Sequence, residues 1–185
     1  MNALLAAIMC LLLTTAESFA LKGGPVYPGG TNLVGTYAGV LIPEFDPTDP
    51  FSTNSIGVFA TGVPTTGLTS GVFAFFTQGR LFLGTMEGVA DPKGGTIKGI
   101  LQADIGNAPG TATDALPSAR GKIDAKVVPG STFGAAARVR GTAILFVSEG
   151  NTDAEGKLIV SSTFTLAVDG FKQSDTATTP TLPTS

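Results

Sequence analysis

Residues 71–101 read GVFAFFTQGRLFLGTMEGVADPKGGTIKGIL, and this stretch decides the fold. Two apolar runs flank Thr77-Gln78-Gly79-Arg80, with Gly at the second loop position, as a two-residue hairpin loop requires. Further on, Asp91, Pro92 and Gly94 occupy the first, second and fourth places of a type I turn. Centring that second turn on Pro92-Lys93 predicts Glu87 opposite Lys98, a cross-strand ion pair on one face. The other face then carries Phe82, Gly84, Met86 and Gly88 against Ile97, Gly99 and Leu101, and reads as core.

The same alternation extends outward in both directions. Arg120, Lys122, Asp124 and Lys126 alternate with Ala119, Gly121, Ile123, Ala125 and Val127, and Arg138 and Arg140 alternate with Ala137, Val139 and Gly141. No window sustains an apolar period of 3.6, so strands are the economical reading. Eight are predicted, at 33–42, 55–61, 71–77, 80–90, 95–105, 119–128, 135–148 and 157–171. Eight antiparallel strands with one wet and one packed face predict an all-β, up-and-down barrel or meander, the alternative being a two-sheet β-sandwich. Gly-Thr-x-x-Gly recurs at Gly35–Gly39, Gly84–Gly88 and Gly95–Gly99, and glycine inside a strand is costly unless a bend uses it.

The 185-residue chain divides into four parts. Residues 1–20 read as a signal peptide: apolar from Ala3 to Leu13, then polar, then Ser18-Phe19-Ala20 at a cleavage position. The run is too short to serve as a transmembrane anchor in the mature form. Its start, Met1-Asn2, lacks the usual positive charge, which puts Met1 as the first residue in question. The lone cysteine, Cys10, lies inside this segment, so no disulfide is expected in the mature chain. Residues 21–32 form a Gly/Pro-rich lead-in, 33–171 a single β-domain, and 172–185 a flexible tail of Ser, Thr, Asp and Pro.

The chain has no His and no Trp, and the mature part has no Cys. A serine-type triad lacks its imidazole and a zinc site lacks its usual ligands, so the domain is expected to be non-catalytic. A pair of carboxylates acting on a glycan is the enzymatic alternative. Without Glu17, thirteen carboxylates face eleven cations that are scattered along the sequence, so no nucleic-acid partner is expected.

Three sets of side chains are candidates for function. Glu44, Asp46 and Asp49, then Asp114, then Glu149, Asp153 and Glu155 fall in odd-numbered connections, which a meander gathers at one rim with Arg80. Within it, Glu149, Asn151, Asp153 and Glu155 set oxygens at every second position, as weak calcium loops do, although Ala154 stands where an EF-hand has Gly. Second, Tyr37, Phe73, Phe75, Phe82, Met86, Phe164 and Leu166 would line the barrel interior, where one small apolar ligand could sit. That outline is similar to lipocalin-like and avidin-like barrels, but Gly35-Thr36-Tyr37 lacks the tryptophan that opens lipocalins, and neither family is assigned. Third, strands three and four are apolar on both faces, which leaves Val72, Phe76, Leu81 and Leu83 outside as a contact surface. It is expected to be covered by the lead-in around Val26 and Tyr27 or by a homodimer partner.

The leading reading is an exported bacterial β-domain, secreted or held in the periplasm or envelope, acting by binding or as a structural component. A small apolar-ligand carrier comes second. A glycan-active enzyme comes third. No cofactor is expected beyond weakly bound calcium.

Overall fold

The computed structural model describes residues 32–45, 54–104, 117–129, 136–157 and 159–182; the expected signal peptide and lead-in lie outside them. Eight antiparallel strands close into a barrel in sequence order: β1 (Gly35–Pro43), β2 (Ile56–Val63), β3 (Leu68–Thr77), β4 (Arg80–Asp91), β5 (Thr96–Asp104), β6 (Ser118–Val128), β7 (Arg138–Ser148) and β8 (Ser162–Ser174). Neighbours in sequence are neighbours in space, and β1 meets β8 to complete the ring. The sandwich alternative is thereby excluded. No helix occurs among the described residues, and none is long and apolar enough to cross a membrane.

The β3–β4 hairpin forms in the predicted register, with Thr77 opposite Arg80. Gln78 and Gly79 both take positive φ, 51° and 74°, as a type I′ loop demands. The β4–β5 hairpin differs. Asp91 pairs with Thr96 and Glu87 with Ile100, so the loop holds four residues and the expected Glu87–Lys98 pair is not made. The reason is local. The Asp91 carboxylate accepts the Lys93 amide at 2.9 Å, and Gly95, at φ 65°, turns the chain one residue later than a loop centred on Pro92-Lys93 would. The partner position moves by two residues, so both strands keep their inner faces. Lys98 instead pairs with Asp124 of β6, at 3.0 Å.

The inner face is one continuous apolar core drawn from all eight strands. It includes Tyr37 and Leu41 from β1, Phe59, Phe73, Phe75, Phe82 and Met86 from β2–β4, Leu101 and Leu145 from β5 and β7, and Phe164 and Leu166 from β8. Interior residues alternate with inward glycines, and Gly84 shows why. A Cβ there would run into the Gln102 carbonyl oxygen and lie 2.6 Å from the Phe73 ring. At Gly121 a Cβ would meet the Ile144 carbonyl oxygen of the next strand. These positions let strands bend toward the axis, and the repeated Gly-Thr-x-x-Gly places its second glycine inside β1, β4 and β5. Gly95, expected inside a strand, belongs to the turn.

The outer face differs around the barrel: Lys98, Arg120, Lys122, Lys126, Arg138 and Arg140 all project outward from β5–β7, whereas the outward positions of β3 and β4 are largely apolar. Closure itself is sensitive to the inner glycines. Gly84→Ala is expected to lower unfolding free energy by about 2–3 kcal/mol, since backbone rather than a flexible side chain must yield. Urea denaturation of the variant beside the wild type measures this; a change within error would mean the strands are not held at this approach.

Candidate functional site

Tyr37, Phe73, Phe75, Phe82, Met86, Phe164 and Leu166 all point inward and are buried. Phe75 and Phe164 stand on strands separated by β1 and β2, yet their rings meet edge to face with centroids 5.2 Å apart. The two rings thus occupy part of the interior at that level. Nearer the β1 entrance, the Tyr37 hydroxyl donates to the Leu33 carbonyl at 2.8 Å. The Lys172 ammonium sits 6.0 Å from the Tyr37 ring centroid and pairs with Asp175 at 2.7 Å, so the end of β8 stoppers this mouth. A pocket at the same end, between Leu33, Val63, Pro64 and Pro92, holds about 10 Å³, close to the minimum for one water.

The opposite mouth receives the odd-numbered connections, as the closed meander requires. Asp46, Asp49 and Asp114 lie outside the described residues. Glu44 is exposed, and Glu149 is drawn to Arg80 at 2.8 Å, a surface pair contributing under about 1 kcal/mol. Lys157, expected at the start of the last strand, lies in the β7–β8 connection and adds a second cation to this rim. Asp153 serves its own loop: Oδ1 accepts the amides of Glu155 at 3.0 Å and Lys157 at 2.9 Å. Among the described residues no three carboxylates come together as a metal would need, and Glu149, Asn151, Asp153 and Glu155 do not converge. Gln78 reaches across the mouth to donate to Ser162 at 2.9 Å, and Ser55 donates to Thr77 at 2.8 Å.

On the outside of β3 and β4, Phe76 stands opposite Leu81 and Ala74 opposite Leu83, all facing away from the core. Leu83 is 39% exposed, whereas Val72 is only 6% exposed. The difference comes from the chain's own end. β8 continues to Ser174, past the predicted boundary, and residues 175–182 then lie across the outside of β1–β3. Leu182 packs on Ala38, Ala60 and Val72. The Thr36 hydroxyl donates to the Thr176 carbonyl at 2.8 Å and accepts the Thr178 amide at 2.9 Å, while Ser70 and Thr179 share a hydroxyl contact of 3.2 Å. The described cover is therefore part of the 172–185 segment, which reads from sequence as a flexible tail. Val26 and Tyr27 lie outside the described residues.

The cations that look scattered along the sequence are gathered by the topology. Six of the eleven project from the adjacent strands β5–β7. They are partly balanced there: Asp169 takes Arg138 through both oxygens, at 2.9 and 2.8 Å, and lies 3.8 Å from Arg140. Nothing in any one strand signals this face, because it depends on which strands become neighbours. Comparison of the chain with protein-family models, curated proteins and solved structures finds no match.

Burial raises the Tyr37 phenol above its ordinary value of 10.0, and the negative charge of Asp175 adds to the shift. A group raised in the folded state stabilises fully below its unfolded value and loses that contribution as pH climbs toward the folded one. Stability is thus expected to fall from about pH 10 upward, by up to about 1.4 kcal/mol per pH unit from this residue. Urea titrations of wild type and Tyr37→Phe at about pH 9 and about pH 11 check it. The wild type should lose more across that window, and equal losses would assign the fall to other groups.

Proposed function

We propose that the chain is an exported, non-catalytic bacterial β-barrel, secreted or held in the periplasm or cell envelope, that works through its outer surface as a binding or structural component. The observation that carries this reading is the edge-to-face contact of Phe75 with Phe164 across the lumen. A carrier needs an enclosed apolar space of roughly 300 Å³ or more. The inward aromatic side chains favour a solid core instead, which leaves the outside as the working surface. The glycan-active alternative needs two facing carboxylates with free oxygens. Glu149 bound to Arg80 and Asp153 bound to its own backbone amides speak against that pair at this rim.

Two measurements bear on the proposal. Titration of the mature protein with a long-chain fatty acid and with an apolar fluorophore is expected to show no saturable uptake at one ligand per barrel. Such uptake, lost on replacing Ala143 of the inner face by Phe, would transfer the function to a carrier. The export half is read separately. When the full chain is expressed in a bacterial host, mass spectrometry of the product is expected to find Leu21 at the amino terminus. A product retaining residues 1–20 in the cytoplasm would remove export from the reading.

A further inference from the structure

We propose that the trough on the outside of β1–β3 is a binding site for an extended, hydroxyl-rich peptide. Its occupant in this structure is residues 176–182 of the same chain, and in trans it takes the same segment from a second copy. Thr36, Gly62 and Ser70 are cross-strand partners in one row, so a hydroxyl, a gap and a hydroxyl follow one another across three strands. The gap is required. A Cβ on Gly62 would run into the Thr178 carbonyl oxygen. The Thr36 hydroxyl reads the backbone of the segment at Thr176 and Thr178, Ser70 reads the Thr179 hydroxyl, and Ala38, Ala60 and Val72 seat Leu182. Recognition thus needs an extended backbone, a hydroxyl residue at the third strand and an apolar anchor three residues later.

Three features make the occupant exchangeable. The hydrogen bonds to Thr36 and Ser70 are solvent-exposed, which places this contact at the low-stability end of the molecule. The apolar seat is a cluster separate from the main core, so lifting Leu182 leaves the barrel interior intact. The segment leaves β8 directly at Ser174 and is fastened by the Lys172–Asp175 pair, which supplies a hinge beside the trough. Every copy carries both trough and segment, so the contacts of residues 178–182 can be made within one chain or between two. Farther along the same outer face, Ile42 on β1, Ile56 on β2 and Leu83 on β4 remain exposed for the approaching barrel to cover. The proposal rests on the outer surface being the working one, but its test reads where a segment sits and not what enters the lumen, so the two can fail separately.

The test uses full-length chains with Cys10→Ser, so that introduced cysteines are the only thiols. Ser70→Cys together with Thr179→Cys in one chain should close an internal disulfide under mild oxidation, seen as a mobility shift on a non-reducing gel. Chains carrying Ser70→Cys alone and Thr179→Cys alone, mixed, should then form the mixed disulfide. Its yield should rise with protein concentration and rise several-fold further when Asp175→Ala releases the hinge. As the reference for random collision, Thr142→Cys on the outer face of β7 replaces Ser70→Cys. A mixed yield no greater than this reference at about 1 mM protein, the effective concentration of a short tether, overturns the proposal. Failure of the internal disulfide in the doubly substituted chain also overturns it. A second measurement needs no cysteine: a fluorescent peptide of residues 173–185 should bind the Asp175→Ala chain saturably and lose that binding with added Gly62→Val. Absence of binding, or binding indifferent to Gly62→Val, counts against the trough.

Discussion

An eight-stranded sheet can close only if its strands bend inward along their length, and every bend brings one backbone close to the next. Inward glycines such as Gly84 and Gly121 meet that constraint by leaving the space into which a neighbouring carbonyl oxygen projects. The rest of the structure follows from it. A narrow, bent barrel brings aromatic side chains from strands that are not neighbours into contact, as Phe75 and Phe164 are, and an apolar core builds up with no cysteine among the described residues. Tight closure and a spacious interior are therefore in competition, and in this chain the Phe75 and Phe164 rings meet inside the barrel.

How much of this was legible depended on how local the chemistry was. The β3–β4 hairpin could be read outright, because Gln78-Gly79 specifies both the turn and its register within two residues. The β4–β5 hairpin could be read only up to a slip of two. Alternation has a period of two, so it fixes the face of Glu87 and Lys98 but not their partners, and the turn length depended on Gly95 rather than on Pro92. Closure was legible as a choice between barrel and sandwich. Alternation alone does not separate these, and the pairing of β1 with β8 does.

The surfaces were less legible. A basic face on β5–β7 arises from adjacency, and each strand alone shows only ordinary sidedness. The Ser/Thr/Pro composition after Lys172 reads as a tail because it offers no apolar period, yet its hold on the barrel uses backbone atoms, hydroxyls and the single apolar residue Leu182. The one sequence trace of that contact is Gly62, a glycine on the outer face of β2, where curvature has no use for it. Outer glycines thus mark covered backbone as inner ones mark bending.

The pairing of Thr36 with Ser174 means that the chain enters and leaves the barrel at the same end. The loops bearing Glu44, Glu149, Asp153 and Glu155 open at the other end, a strand length of roughly 30 Å away. The molecule consequently has a built-in polarity. Its two mouths differ in chemistry: Lys172 and Tyr37 meet at the end where β1 begins and β8 finishes, and Glu44, Glu149, Asp153 and Glu155 stand at the other.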